Sequence, residues 1–440
     1  MSQQHQQSCS CVLLHFTLIF YLCKFLGIYP QSVSAYRSKH ALEASKSGSI
    51  LVVIVMIWIT VCYNTFILSQ SEGNDQQEAD RSNLITNYFT ANGRRSSIHF
   101  VTDALNFVIS IFLTQIKIIL MATDQLSSIC NQGRLGEFYD RLYSIDSRLI
   151  KAGCVLNNGS LAWHCYVMVA MTFLLEIIIT LLTFAYLHNH TQWVLVVMWI
   201  FSCLPTLYDS LDKIWFTATL HALRQRLSAL NRTLTNLKEE ESNELSLLKM
   251  DYVNGLEYLK RVLNAGRVVK FKNRMRSFDL NKVEERLINI CQLHDEICEL
   301  IQTLHKMWTY PILALMAYGF LIFTAQLYFT YCVTQNQPIP ILFRSAESLL
   351  MSILFLSYTG VKCVYLIFSS WKTALEAKYT GIALHKYAIN LNDKAVYEIV
   401  SVNHSSLKLL NHAFDFANCG FLSLSMRTLC GVCVIVHCSK

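Results

Sequence analysis

Residues 161–187 read LAWHCYVMVAMTFLLEIIITLLTFAYL, an apolar stretch that contains a single carboxylate, Glu176. A helix that crosses a hydrocarbon core of about 30 Å needs about 20 mostly apolar residues. The stretch is therefore typical of a transmembrane helix. Five further apolar runs of similar character lie along the chain, at 50–69, 101–121, 192–208, 308–331 and 346–369. Together they predict an all-α, polytopic membrane helical bundle with six firm transmembrane helices.

The composition supports this fold class. The 440 residues are 53% hydrophobic and only 15% charged, whereas soluble domains carry about 25% charged residues. Only 5 prolines and 15 glycines are present, which favours long helices over disorder or a strand-rich fold. The net charge of +7 could indicate nucleic acid binding. However, the lysines and arginines cluster between the apolar runs, so we expect cytoplasmic flanks of membrane helices and no nucleic acid partner.

The distribution of basic residues predicts the orientation, because lysine and arginine concentrate in cytoplasmic loops. The loops between the first and second, third and fourth, and fifth and sixth runs are poor in them, with Arg344 alone in the last. The N-terminus is therefore predicted to be cytoplasmic. The basic residues are enriched in the N-terminal segment and after the second, fourth and sixth runs: Lys24, Arg37, Lys39, Lys46, Arg134, Arg141, Arg148, Lys151, Arg224, Arg226, Arg232, Lys372, Lys378, Lys386, Lys394 and Lys408.

Two terminal runs are less regular. Residues 11–29 are apolar but contain Lys24, and we interpret them as a helix that lies against the inner membrane face or packs on the bundle. Residues 422–436 span only about 22 Å as a helix, less than a bilayer core, and they contain Arg427. The predicted organisation is a cytoplasmic N-terminal segment with a membrane-associated helix (1–49), transmembrane helices 1–4 (50–216), a cytoplasmic helical extension and loop (217–307), transmembrane helices 5–6 (308–369), cytoplasmic helices (370–421) and an incomplete transmembrane helix 7 (422–440).

Apolar residues continue at helical spacing beyond the membrane runs, in 215–237, 283–307 and 373–410. A helix that leaves the membrane with one apolar face needs a partner to cover it. We therefore expect these three segments to form a cytoplasmic helical mini-domain, which is also a plausible surface for oligomer assembly. The residues after the second run, which contain Arg134, Arg141 and Arg148, are interpreted as a loop.

No catalytic constellation is found in the sequence. It contains no H-E-x-x-H, G-x-S-x-G or P-loop string. The 16 cysteines are scattered, and Cys430 and Cys433 form a lone C-x-x-C without a second pair of ligands. We therefore expect neither an enzyme, nor a cofactor, nor a metal site.

Ionisable and polar residues inside membrane runs are costly and are the best candidates for a ligand site. Glu176 is the sharpest of them, and it could line a pocket or make a structural hydrogen bond to a neighbouring helix. Glu347 lies near Arg344 and could instead form an interfacial ion pair. The candidate ligand-binding residues are Asp103, Glu176, Gln326, Tyr328 and Glu347.

Several short motifs occur in a characteristic order along the chain, and in this order the sequence resembles the insect gustatory receptor family. The similarity covers most of the chain from about residue 50, and the last of the motifs resembles the family's F-x-A-C-G-F stretch. The residues that carry the resemblance are Gly27-Ile28-Tyr29-Pro30, Trp215-Phe216, Leu220, Leu223-Arg224, Arg226-Leu227, Leu230-Asn231, His294-Asp295, Leu327-Tyr328, Ala377, Thr380, Leu384-His385, Leu409-Leu410 and Phe416-Ala417-Asn418-Cys419-Gly420-Phe421.

The resemblance implies a taste receptor that acts as a ligand-gated, nonselective cation channel in the plasma membrane of a sensory neuron. It implies a homo- or hetero-tetramer joined by the cytoplasmic helices, a pore lined by the last helix and a pocket for a small-molecule tastant. The family's closing T-Y…Q-F signature should begin near Val434, where the chain stops. This favours a truncated isoform over a divergent receptor. A non-conducting modulatory subunit and a small-molecule transporter remain as alternatives.

Overall fold

The computed structural model of the chain describes residues 16–32, 42–62, 64–65, 95–156, 158–187, 204–236, 274–335, 349–390, 417–418 and 422–423. Within these ranges the chain forms seven helices and one minimal strand pair. The helices are α1 (Thr17–Phe25), α2 (Lys46–Cys62), α3 (Arg95–Lys151), α4 (Asn158–Leu187), α5 (204–236), α6 (Arg274–Thr334) and α7 (Leu349–Asn390). The strands are β1 (Ala417–Asn418) and β2 (Leu422–Ser423), which pair antiparallel.

The longest helices extend well beyond a bilayer. With 57 and 61 residues, α3 and α6 are about 85 and 90 Å long at 1.5 Å per residue, roughly three times a hydrocarbon core of about 30 Å. They pack against each other, and α7 packs on α6. The predicted helical extensions within 215–236 and 283–307 are continuous parts of α5 and α6. Residues 391–410 of the third predicted extension lie outside the described residues.

The prediction of a loop after the second membrane run is wrong, because α3 remains helical to Lys151. Arg134, Glu137 and Asp140 are exposed, while an apolar stripe at helical spacing is buried against the bundle. That stripe consists of Leu135, Phe138, Tyr139, Leu142, Ile145 and Leu149.

Two described helices contain apolar segments long enough to cross a membrane, Gly159–Leu182 in α4 and Ile288–Cys332 in α6. The α4 segment exposes most of its large apolar side chains instead of burying them. A water-soluble protein would cover such a stripe, whereas a lipid environment needs no cover. The exposed side chains are Trp163, Tyr166, Val167, Met171, Leu174, Ile177, Ile178, Leu181 and Leu182.

The N-terminal run forms α1, which packs on the bundle as one of the two predicted placements requires. Ile19 and Phe20 are buried, whereas Phe25 is 88% exposed on the opposite face. At the end of α1, Gly27 has a φ of 72°, which glycine adopts without strain. The Gly27 and Ile28 amides donate to the carbonyls of Lys24 and Cys23, at 3.1 and 2.7 Å. This Schellman motif ends the helix and turns the chain inward.

The N-terminal segment also lies directly against the backbone of two helices. A Cβ at Gly48 would be 1.9 Å from the Pro30 carbonyl oxygen, and one at Gly136 would be 2.3 Å from that of Leu42. Any side chain at either position would force the segment away, so both positions require glycine.

The predicted short seventh helix is described at only two residues. Leu422 and Ser423 are extended in β2, paired with Asn418 and Ala417 of β1. The expectation that a helix begins at 422 is wrong at these two residues. Three residues that include Gly420 separate the paired positions, a spacing typical of a hairpin. Residues 424–440 lie outside the described part of the chain.

Helix α6 contains Pro311, which has no N–H to donate to the Met307 carbonyl one turn earlier. Two side chains of α3 supply the missing donors. Ser127 Oγ and Asn131 Nδ2 donate to Met307 O at 3.0 and 3.2 Å. The proline thus creates one of the points at which α3 and α6 are joined by hydrogen bonds.

Candidate functional site

Glu176 of α4 lies at the centre of a polar network inside the membrane region. Ser210 Oγ of α5 donates to Glu176 Oε1 at 3.2 Å, and Tyr358 OH of α7 donates to the same oxygen. Lys362 Nζ of α7 lies 3.4 Å from that oxygen and also donates to Ser210 Oγ. Three helices are therefore joined through one carboxylate, whose charge is matched by one ammonium group.

Of the other four predicted ligand-binding residues, Gln326 and Tyr328 are described with their side chains, and neither is part of this network. Gln326 is buried on α6, and its Oε1 has no hydrogen-bond partner among the described residues. Tyr328 lies on the same helix, partly buried against the apolar core. Asp103 lies within α3, where the structure describes the backbone alone, and Glu347 lies outside the described residues. Ligand binding by any of the five remains a prediction.

A second polar group is buried where α3, α5 and α6 meet, and we call Asp124, Asp209, Asp212 and Lys213 the Lys213 cluster. Lys213 Nζ lies 2.7 Å from an oxygen of Asp124, 3.1 Å from Asp209 and 3.2 Å from Asp212. All four residues are at most 7% exposed. Three carboxylates thus surround one ammonium group, so the cluster has more acids than its cation can neutralise.

The N-terminal segment closes the Lys213 cluster. Tyr29 OH donates to Asp212 Oδ1 at 3.3 Å, and Trp308 Nε1 of α6 donates to Asp212 Oδ2 at 2.9 Å. Tyr29 also packs on Trp215, with ring centroids 5.0 Å apart. Lys24 donates to the backbone carbonyl of Gln31 at 2.8 Å, which explains a charge within the N-terminal apolar run. The Gly27-Ile28-Tyr29-Pro30 motif thus covers Asp212, and we call this motif the plug.

A small cavity adjoins this plug. Its volume of about 10 Å³ is near the minimum for one water molecule. Its walls combine polar and apolar side chains, and they include Ser127 and Asn131, the two α3 side chains that bind the Met307 carbonyl. The lining residues are Tyr29, Ser127, Ser128, Asn131, Leu135, Asp212, Met307 and Trp308.

Further toward the polar end of α5, Arg226 and Asp146 form a buried pair. Arg226 Nε and Nη2 donate to the two oxygens of Asp146, both at 2.9 Å, and Nη1 donates to the Ala222 carbonyl at 3.1 Å. Further along α5, Asn231 Nδ2 donates to Glu376 Oε1 of α7 at 3.0 Å. Polar contacts therefore tie α5 to α3 and α7 where the three helices leave the membrane.

Sequence reasoning found Glu176 but missed its partner and the whole Lys213 cluster. Lys362 was a detectable signal, since it is a lysine in the middle of a predicted membrane run. Directly after the fourth apolar run lie Asp209, Asp212 and Lys213, which the sequence predicts only as the end of that helix. Their spacing of three and four residues places them on one helix face, which could have indicated a buried cluster.

Comparison with known proteins places this geometry in context. A family model described as 7tm Chemosensory receptor matches residues 16–436. The Drosophila melanogaster protein named gustatory receptor for bitter taste 66a is 39% identical over 478 aligned residues, covering 96% of this chain and 86% of that protein. Putative gustatory receptor 28a of the same organism is 25% identical over 199 residues, 43% of each chain.

The fold also matches a solved structure. The insect olfactory receptor OR5 from Machilis hrabei superposes with a TM-score of 0.54 over 96% of both chains, at 11% identity. At this identity the likeness concerns the fold alone. Together with the family model, it confirms the predicted polytopic membrane bundle.

Proposed function

This chain belongs to the 7tm chemosensory receptor family, and on that premise we propose that it is a gustatory receptor, a subunit of a ligand-gated, nonselective cation channel. It is a membrane receptor and not an enzyme, as its relatives are receptors. We place it in the plasma membrane of a sensory neuron, assembled as a tetramer of identical or related subunits.

The observation that carries the proposal is the 39% identity over nearly the whole chain to a receptor named for bitter taste. The similarity extends over the membrane helices and their extensions alike. We therefore propose that the ligand is a bitter, aversive small molecule.

The Glu176 network supports a route by which a ligand would act. Its donors come from α5 and α7, so a polar ligand that competes for Glu176 Oε1 would loosen contacts among three helices at once. Coupling of this kind needs a ligand that prefers one arrangement of the helices over another. We propose Glu176 as the residue at which ligand binding and helix rearrangement meet, with Gln326 and Tyr328 as further candidates for ligand contact.

The test is ligand-evoked current. Cells that express this chain together with family subunits would be exposed to panels of bitter compounds and sugars, and cells with the same subunits but without this chain serve as the control. We expect cation currents to bitter compounds only when this chain is present. Altered currents without any new ligand response would indicate a modulatory subunit. Saturable uptake without conductance would indicate a transporter, and both results would contradict the proposal.

The role of Glu176 is tested separately with Glu176→Gln. The substitution keeps the shape of the side chain but removes the charge that pairs with Lys362. We expect a shifted dose–response curve with normal surface expression. Glu137→Gln, on the exposed face of α3, should leave the curve unchanged. Equal curves for both variants and the unmodified receptor would remove Glu176 from the ligand pathway.

A further inference from the structure

The exposed apolar stripes mark where the bilayer ends. On α4 the stripe runs from Trp163 to Leu182, about 28 Å along the helix, which matches a hydrocarbon core of about 30 Å. On α7 an exposed apolar stripe runs from Ile353 to Phe368 and ends close to Trp371. Tryptophans are typical of the interface between hydrocarbon and headgroups. Trp163 and Trp371 therefore mark the cytoplasmic interface on the two helices.

At this level three helices bring basic side chains together, and we call His164, His221, Arg224 and Lys372 the basic interface cluster. The rings of His164 (α4) and His221 (α5) stack with centroids 4.4 Å apart. Arg224 Nη2 donates to His221 Nδ1 at 2.7 Å. Lys372 (α7) is exposed and lies 5.7 Å from the ring centroid of Phe368.

The basic interface cluster has little negative charge nearby. Among the described residues, neither Arg224 nor Lys372 forms an ion pair with a carboxylate, and the acid that acts on Arg224 is Glu376, which is bonded to Asn231. Burial, together with the neighbouring Arg224, His164, Lys372 and Arg226, lowers the pKa of His221 to about 3. The histidines are therefore neutral, and the two cations Arg224 and Lys372 lie at a lipid-facing surface without an ion-pair partner among the described residues.

We propose that the basic interface cluster binds the phosphate of an anionic phospholipid headgroup in the cytoplasmic leaflet. Arg224 presents a planar fork of donors suited to phosphate oxygens, and Lys372 supplies a mobile point charge. The amide end of α4, at Asn158, lies on the same side of the membrane and adds favourable partial charge. The flanking apolar stripes would accommodate the acyl chains, which a soluble phosphate lacks.

The site is in the right place for such a ligand. The cytoplasmic leaflet is rich in anionic lipids, and basic pockets between transmembrane helices on that side bind their headgroups. A bound phosphate would join α4, α5 and α7, the same three helices that Glu176 joins deeper in the membrane. This inference is independent of the nature of the tastant and of whether the chain conducts.

The test measures binding and needs no current. The full-length receptor, purified in detergent, is titrated with dioctanoyl phosphatidylinositol 4,5-bisphosphate, with dioctanoyl phosphatidylcholine and with soluble inositol trisphosphate, and bound ligand is counted by native mass spectrometry. The test variant is Lys372→Gln, which changes an exposed side chain and leaves the core intact. Its matched control is Lys378→Gln, at another exposed lysine further along α7. A second pair compares Arg224→Gln with Arg232→Gln on α5.

We expect the inositol lipid to bind more tightly than phosphatidylcholine. Lys372→Gln and Arg224→Gln should each weaken it roughly tenfold, the loss expected for one charge-assisted hydrogen bond, while both controls bind normally. If lipid binding weakens equally in the test and control variants, general surface charge causes the effect and the proposal is overturned. Binding of soluble inositol trisphosphate as tight as that of the lipid would overturn the lipid assignment in favour of a free phosphate ligand.

Discussion

Helix α5 carries two buried ionic groups that are built differently. At Arg226 one cation meets one carboxylate in a bidentate pair, with every bond at 2.9 Å. At Lys213 one cation meets three carboxylates, and Asp124 Oδ2 has no hydrogen-bond partner among the described residues. A buried charge is tolerated when it is paired and hydrogen-bonded. The first group is therefore a fixed structural link, whereas the second has three carboxylates for one cation and an unmet hydrogen bond.

This difference suggests separate roles. The Arg226–Asp146 pair holds α5 on α3 in one geometry. The Lys213 cluster lies where the N-terminal segment, the Pro311 interruption and a small cavity come together, so its surroundings are the less constrained of the two. If the bundle rearranges when a ligand binds, the Lys213 cluster is where we expect the contacts to change.

The largest effect is expected from breaking the balanced pair. Asp146→Ala leaves the Arg226 guanidinium buried without its carboxylate, and breaking such a pair destabilises by about 3–5 kcal/mol. We expect a large fall in the melting temperature of the purified receptor, followed by fluorescence-detected size exclusion. Asp140→Ala, at an exposed position on the same helix, is the control and should melt normally. A small shift for Asp146→Ala would mean that the pair is dispensable.

A smaller effect is expected at the plug over the Lys213 cluster. Tyr29→Phe removes one donor to Asp212 but keeps the ring packed on Trp215. Trp308 and Lys213 still donate hydrogen bonds to Asp212. We therefore expect the free energy of unfolding to fall by about 1.5 kcal/mol, at the lower end for a hydrogen bond to a charged group. Thermal melting measures it, with Tyr379→Phe at an exposed position as the control. If both variants melt alike, the N-terminal segment is not held by Asp212.

Much of the fold could be predicted from the sequence, because apolar length and helical spacing are local properties. The all-helical membrane bundle followed from the apolar runs, and the extensions of α5 and α6 followed from leucines and isoleucines at helical spacing. The same signal was present in α3 at Leu135, Phe138 and Leu142. There the basic residues Arg134, Arg141 and Arg148 are equally typical of a cytoplasmic loop, so the local pattern alone does not decide between loop and helix.

The sites could be predicted only in part, since partners across helices are a tertiary property. Glu176 stood out as a carboxylate in an apolar run, but nothing local indicated that α5 and α7 would supply its donors. Asp124 and Lys213 are 89 residues apart in the chain, and their contact depends on how α3 and α5 pack. In the sequence the Gly27-Ile28-Tyr29-Pro30 motif carries only a family resemblance. Its physical role depends on a tertiary contact, the hydrogen bond from Tyr29 to Asp212.

The smallest effect is expected at an exposed ion pair, which tests whether burial underlies the contrast within α5. Like Arg226 and Asp146, Arg141 of α3 and Glu299 of α6 form an arginine–carboxylate pair, here with a distance of 2.8 Å. Their side chains, however, are 39% and 60% exposed. Water and salt screen such a pair, so Glu299→Gln should change stability by about 0–1 kcal/mol. The residual effect should vanish in high salt, whereas the loss in Asp146→Ala should persist. If Glu299→Gln is as damaging as Asp146→Ala, the helix contact itself and not the burial of charge determines the energy, and the distinction between the two kinds of pair fails.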